Sequence, residues 1–208
     1  YEKKGDKVSW VRLTNVKSYL AAEGLTVECP ELGELSFDVG YGGNFYVIVD
    51  PQKNFSGVQD FSASKIIQYS QVVRKRINEK YPDRFVHPEN ASIHGASHML
   101  WTGEPLDPSS SGRNAVFYGD KAIDRSPCGT GTSARMAQLF AKGKLSVGED
   151  FIHESYIGSQ FIGCIEQVTE IAGITAILPS IQGWSRVTGT STITVDDDDP
   201  YAFGFQVI

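Results

Sequence analysis

Only two stretches of this 208-residue chain carry a helical apolar period, and runs of strand character surround both. In 62–80, Ile66, Tyr69, Val73 and Ile77 fall on one stripe, while Lys65, Gln68, Arg74, Lys75 and Glu79 lie largely elsewhere. That is the pattern of an amphipathic helix. Asp60, Ser62 and Ser64 are candidate caps, and Pro82 lies just past the expected end. The second run, 132–142, is alanine-rich and is followed by Gly143, suited to the left-handed position after a helix. Elsewhere, β-branched and aromatic runs are broken by Gly, Pro and Asn. Strands are expected at 8–13, 25–29, 35–39, 45–49, 92–101, 114–119, 151–157, 160–168, 176–181, 184–195 and 203–207. Glu31-Leu32-Gly33-Glu34 reads as a hairpin turn, Tyr41-Gly42-Gly43-Asn44 as a second break, and 103–112 as a surface loop. Much antiparallel strand wrapped around few helices is the α+β class.

Composition narrows the function classes. Apolar residues make up 40% and charged residues 21%, so the chain can bury a core and is not disordered. The net charge is −6 with no basic patch, which argues against nucleic acid as a partner. No apolar run reaches the roughly 18 residues of a membrane span. Cys29, Cys128 and Cys164 are odd in number and form no C-x-x-C pair, so a disulfide framework is not expected and a reducing cytoplasm fits best. Four scattered histidines make no metal motif, and the acidic run 196–199 lacks calcium-loop spacing and reads as a solvated turn. The chain begins without Met and enters a strand almost at once, which suggests a piece of something longer.

The residues that carry chemistry lie in DRSPCGTGTSARMAQLFAKGK, 124–144. The order is strand, glycine loop, Cys128, helix. A helix start offers unpaired N–H groups and a partial positive charge, which ease deprotonation of a thiol placed there. Gly129 and Gly131 let the backbone approach a ligand with its N–H groups turned inward, a cradle for a carboxylate or phosphate. No Lys or Arg lies within the loop, and Asp124 stands four residues before the thiol. An acid beside an anion cradle suits a zwitterion. The carboxylate would sit on the N–H groups, the nitrogen on Asp124, and the sulfur near the Cα between them. That layout removes a proton from the α-carbon of an amino acid without a cofactor. The bland alternative is that Cys128 is a small buried hydrophobe; the loop and the acid favour function. Phe117 and Tyr118, just before the motif, are candidates for walling the pocket. His98, on the residues alone, is as readily structural as functional.

The run 124–134 resembles the second cysteine motif of the proline racemase family, which includes the 4-hydroxyproline epimerases. The similarity continues through Gly143-Lys144-Leu145, Gly148-Glu149, His153-Glu154-Ser155-Tyr156-Ile157-Gly158-Ser159 and Phe161-Ile162-Gly163. It also covers Gly42-Gly43-Asn44-Phe45 upstream and the ending GWSRVTG with DDDDPYAFGFQV, and so nearly the whole chain. The resemblance implies a two-cysteine mechanism, in which one thiolate takes the Cα proton and a thiol on the opposite face returns one. Cys128 matches the second cysteine, and a dehydratase branch has Thr there. By the same resemblance Asp124 contacts the substrate nitrogen, Gly129 and Thr130 hold the carboxylate through their N–H groups, and His98 binds substrate. The implied fold is the strand-rich half of a two-domain, diaminopimelate-epimerase-like fold, with a central helix behind the cysteine loop. Residues 1–16 would be a remnant of the N-terminal half and 17–208 the C-terminal catalytic half, its last strand free to return to the first. No cofactor is implied. The implied partners are 4-hydroxyproline or proline, the N-terminal half and, as one assembly, a homodimer.

The family's first motif, Met-Cys-Gly-His, is absent from these residues. Cys29 and Cys164 have no glycine loop or helix start and are not replacements. The chain alone is therefore expected not to turn over. Three readings follow: an epimerase of 4-hydroxyproline seen through its second half, with proline the alternative substrate; an inactive fragment or weak imino-acid binder; and a cysteine hydrolase using Cys128 and His98, with the glycine loop as oxyanion hole.

Overall fold

The segment Phe45–Val49 is apolar at all five positions, and all five are buried. A strand of that kind needs cover on both faces, and each face has its own helix. In this computed structural model, which describes residues 1–5 and 7–204, the chain runs first through β1 (Glu2–Lys4), β2 (Lys7–Thr14), β3 (Tyr19–Cys29), β4 (Gly33–Tyr41) and β5 (Phe45–Val49). A short 3₁₀ turn, Val58–Asp60, leads into α1 (Ala63–Lys80). Then come β6 (Val86–His87), β7 (Asn90–His94), β8 (His98–Gly103), β9 (Gly112–Tyr118) and β10 (Ala122–Ile123). After α2 (Gly129–Ala141) follow β11 (Asp150–Glu154), β12 (Gln160–Ile171) and β13 (Ile174–Gly183). The α+β class expected from the sequence is the class observed.

The main sheet runs β1-β2-β13-β12-β11-β9-β8-β5-β4-β3, with β10 on β9. Its pairs are antiparallel except β5 with β8 and β9 with β11. Both parallel contacts follow crossovers that contain a helix, as parallel pairing requires. The sheet curls until Ser18, at the head of β3, exchanges backbone hydrogen bonds with Ile177 of β13 at 2.9 and 2.8 Å. The helix α2 is thereby enclosed, in contact with β3, β4, β5, β12 and β13.

Strand alternation sorts the core. Val47 and Val49 join Phe37, Met99, Trp101 and Phe117 under α1, whose Ile66, Tyr69, Val73 and Ile77 are all buried. Each such side chain contributes about 1.5–3 kcal/mol relative to an exposed one. Tyr46 and Ile48 face the other way, with Leu100, Val116 and Ala134 of α2. Beyond α2, Met136 and Ala137 pack on Ile165, Ile177 and Ile181 of β12 and β13.

Both helix ends match the sequence signals. Ser62 is the N-cap of α1, its Oγ accepting from the Lys65 amide at 3.3 Å. Gly143 takes φ +66 after α2, with its own amide on Phe140 O and that of Lys144 on Leu139 O, a Schellman ending. Four strand expectations differ. The stretch 151–157 is strand only to Glu154, after which the Gly158 amide closes a turn on Ser155 O at 3.0 Å. The stretch 92–101 is two strands: Gly95, at φ +76, reverses the chain, so β7 pairs with β6 and β8 enters the main sheet. The stretch 184–195 forms no strand, although Val187 and Ile193 are β-branched; they are 91% and 84% exposed. Strand propensity reflects packing against neighbours, and among the described residues no strand pairs with 184–195. Of 203–207, Phe203 lies in a turn and 205–207 fall outside the described residues. No helix among the described residues is long and apolar enough to cross a membrane.

A polar clamp anchors α2 to β4. Asp38, buried in the sheet, accepts from Gln138 Nε2 at 2.6 Å and pairs with Lys142 Nζ at 2.5 Å. Burial alone would raise the Asp38 carboxyl, but Lys142, Gln138 and the Gly24 amide bring it below its ordinary value. Its contribution is present above the ordinary carboxylate range and is lost as pH falls through the lower folded value. Asp38→Ala is expected to lower unfolding free energy in urea by about 2–3 kcal/mol. The loss should shrink in acid, where the wild-type carboxyl is protonated; an equal loss at all pH values would contradict the ionised clamp.

Candidate active site

The start of α2 is held by backbone contacts that leave no space for side chains. A Cβ on Gly42, between β4 and β5, would lie 2.2 Å from Thr130 O and 2.6 Å from Ala134 N. One on Gly40 would lie 2.8 Å from Ala134 O. Asn15 bridges the same contact, donating to Gly42 O at 3.0 Å and Ser133 Oγ at 2.8 Å. The glycine break at 41–44 therefore does more than turn the chain: it lets the sheet touch the helix backbone.

Cys128 is the N-cap of α2, and its carbonyl accepts the first helical bond from the Thr132 amide at 2.7 Å. Its φ is +65 with ψ 112, a region that L-residues rarely adopt and that costs roughly 1–3 kcal/mol. The surroundings enforce it. Asp124 Oδ1 accepts from the Ser126 amide and hydroxyl, both at 2.9 Å, and Ser126 Oγ accepts from the Cys128 amide at 3.1 Å. Asn114 Nδ2 holds the Pro127 carbonyl at 2.8 Å, and Ser159 Oγ holds that of Arg125 at 2.7 Å.

The sulfur sits among hydroxyls and amides. Tyr46 Oη lies 3.3 Å from Cys128 Sγ and 2.6 Å from Thr130 Oγ1, while Thr130 Oγ1 is 3.7 Å from Sγ. A Cβ on Gly131 would press on both Cys128 and the Tyr46 ring at 3.2 Å. At the first turn, Gly129 and Thr130 have no intrahelical acceptor for their amides. A Cβ on Gly129 would meet only open space. Gly129 and Ser126 line an open groove of about 400 Å³ together with Val11, Leu13, Phe161 and Trp184. Cys128 is half-buried, with hydroxyls at its sulfur, and its neighbours Ser126 and Gly129, not the cysteine itself, line the groove.

His98, at the start of β8, packs its ring on Tyr46 with centroids 4.8 Å apart, and its Nδ1 is engaged by Ser97 Oγ at 2.7 Å. Burial, and then Arg74, lower its basicity, while Asp124 opposes them. The structure therefore gathers Cys128, Asp124, Gly129, Thr130 and His98 at one place. Phe117 is not part of it: it is buried under α1, and Val116 is the neighbour that faces α2, because alternate strand residues point to opposite faces. Tyr118 is exposed.

One electrostatic expectation is reversed. Burial pushes the Cys128 thiol above its ordinary value. Tyr46, the Gly131 amide and Thr130 pull it down without overcoming burial, and the Asp124 charge adds to the rise. The helix start alone does not produce a standing thiolate here; desolvation dominates.

Two participants carried no readable sequence signal. Tyr46 sits inside an unbroken apolar run, where only the sheet decides which face it takes. His153, fully buried on β11, is bonded to Thr132 Oγ1 at 2.9 Å and lies 3.1 Å from Asn114 Nδ2, directly behind the cysteine loop. Burial, assisted by Arg135, lowers it to about 3.

Comparison with known proteins follows this geometry. The proline racemase family profile matches residues 1–206. A 4-hydroxyproline 2-epimerase of Spirosoma linguale is 61% identical over 208 residues, covering 100% of this chain and 62% of the relative. A 4-hydroxyproline epimerase of Brucella ovis is 61% identical over 207 residues, with the same coverage. The chain thus spans 62% of the length of the curated relatives it matches. A crystal structure of a probable proline racemase from Agrobacterium radiobacter with bound carbonate superposes at a TM-score of 0.82, with 35% identity, over 95% of this chain and 57% of that one. A hydroxyproline epimerase from Agrobacterium vitis with bound trans-4-hydroxy-L-proline superposes at 0.81, with 31% identity, over 95% and 56%.

His153 supplies a test of the loop's support. Its folded value lies below the ordinary 6.5, so the unfolded chain binds the proton first on acidification. Its contribution is complete above about 6.5 and declines as pH falls toward 3. Urea unfolding of His153→Asn should show a flatter pH dependence across that window than the wild type; identical slopes would exclude a buried neutral imidazole.

Proposed function

Because the chain belongs to the proline racemase family, we propose that it carries one of the two acid/base groups of a cofactor-independent epimerase acting at Cα of 4-hydroxyproline. The observation that carries this reading is the sulfur of Cys128 at the start of α2, beside free helical amides, an acid and an open groove. In this reading the amides of Gly129 and Thr130 bind the substrate carboxylate, as a helix N-terminus binds anions. Asp124 takes the ring nitrogen, its orientation set by the two bonds from Ser126. Cys128 exchanges a proton with Cα on the face it meets. His98 adds a polar ring to the pocket wall, and hydroxyproline is preferred over proline on that account. The raised thiol fits the half-reaction that donates a proton, since a thiol that holds its proton at neutral pH is ready as the acid. Three free thiols fit a reducing compartment, here taken as the cytoplasm.

The second acid/base comes from polypeptide beyond these 208 residues, seated across the groove formed by Val11, Leu13, Phe161 and Trp184. Val8, Val11 and Leu13 of β2 line it, with Gly183 at the end of β13 and Trp184 and Ser185 just beyond. Trp184 is 60% exposed there, and an apolar surface beside a polar site suits a covering domain. The hydrolase reading is not favoured. A nucleophile and its base need mutual hydrogen-bond reach, and at the sulfur Tyr46 occupies that position, with the His98 ring packed against Tyr46.

The reading is tested by co-expressing this chain with the portion of the Spirosoma linguale relative that it does not cover. Loss of the Cα proton of trans-4-hydroxy-L-proline in D₂O is then followed by NMR. Exchange is expected for the pair and not for the chain alone. Cys128→Ala should reduce it by at least about a hundredfold. Faster exchange of proline than of hydroxyproline would overturn the substrate assignment, and full exchange by the Cys128→Ala pair would overturn the mechanism.

A further inference from the structure

Tyr46 and Thr130 present two hydroxyls to one sulfur. Tyr46 Oη stands between Cys128 Sγ, at 3.3 Å, and Thr130 Oγ1, at 2.6 Å. The three atoms come from elements far apart in sequence, β5 and the first turn of α2. Tyr46 cannot move aside: it is fully buried, its ring tilted against His98 and packed against the space where Gly131 has no side chain. Burial pushes the Tyr46 hydroxyl well above its ordinary value, so it keeps its proton and remains a donor.

We propose that Tyr46 is a positioning residue whose hydroxyl, coupled to that of Thr130, reorients with the protonation state of Cys128 and stabilises its thiolate. When the sulfur is ionised, Tyr46 O–H donates to Sγ, and Thr130 O–H donates to the Tyr46 oxygen. When the sulfur holds its proton, the Tyr46 hydrogen turns to Thr130 Oγ1. Both hydroxyls keep their own protons, so the only proton gained or lost is the one on sulfur. Heavy atoms need not move, which suits a group that must alternate between acid and base. The device offsets part of the desolvation that a half-buried thiolate suffers. The charged or titratable groups around it are Asp124 at the loop, which disfavours the thiolate, His98 on β8, and Arg74 of α1, which acts on His98.

The inference builds on the assignment of Cys128 as an acid/base, but its test uses no substrate, so the two fail separately. The 208-residue chain is treated with iodoacetamide across a pH series, and carboxamidomethylation of Cys128 is followed by peptide mass spectrometry, with Cys29 and Cys164 buried. Tyr46→Phe keeps the ring and removes the hydroxyl. Near pH 7.5 its alkylation should be about tenfold slower than wild type, the size expected from losing one hydrogen bond to an anion. The midpoint of its profile should move upward, and the limiting rate at high pH should be unchanged. Thr130→Val should move the midpoint in the same direction by less, and Thr130→Ser should restore it. A Tyr46→Phe profile coincident with wild type, or one changed only in limiting rate, overturns the proposal. If Tyr46→Phe does not fold, the Thr130→Val and Thr130→Ser pair decides: equal midpoints refute the coupling.

Discussion

The backbone of α2 meets the backbone of the sheet at Gly40 and Gly42, closer than a single methyl group would permit. Much of the site follows from this contact. It sets where the helix begins, and so where the unpaired amides of Gly129 and Thr130 emerge. It brings β5 alongside, so that Tyr46 reaches the sulfur. It also leaves Cys128 in the tight exit from the preceding loop, with a positive φ that only a fully bonded loop sustains. The bonds that sustain it come from β9 through Asn114, from Ser159 just ahead of β12, and from Ser126 within the loop. Strain at this residue is matched by support from distant parts of the chain, as is common where geometry serves chemistry.

The electrostatics of the cysteine show two effects of opposite sign. A helix start and the hydroxyls of Tyr46 and Thr130 favour the anion, while burial in the sheet-enclosed site disfavours it. Burial prevails in the described chain. The protonation state of a sulfur poised in this way depends on small changes around it, such as a hydroxyl turning or a neighbouring charge being neutralised. The polar layer behind the loop is built differently. His153 is neutral and enclosed, and it bonds Thr132 without adding charge near the sulfur. Asp38, on β4, is kept ionised by Lys142 and Gln138 and anchors the far end of α2. The two ends are thus secured by different chemistry.

Much of the site was legible because it is local. Asp124, Cys128, Gly129 and Thr130 fall within seven residues, and the order strand, loop, helix places them together whatever the rest of the chain does. The helix at 63–80 was legible for the same reason: its apolar stripe, serine cap and terminal residues act within a few turns. What could not be read was non-local. Nothing in FYVIV marks Tyr46 as the residue that faces α2, since all five positions are apolar and the alternation is silent. The run 184–195 has strand composition, yet a strand forms only where a partner lies beside it.

By itself, then, the sequence determined the helices and the cysteine loop, because each rests on neighbours in the chain. Tertiary structure alone decided which face of each strand meets α2, that Tyr46 and His98 join the sulfur, and that burial outweighs the helix start. Those outcomes depend on distances between segments brought together only when the sheet curls around the helix, and on the water that this enclosure excludes.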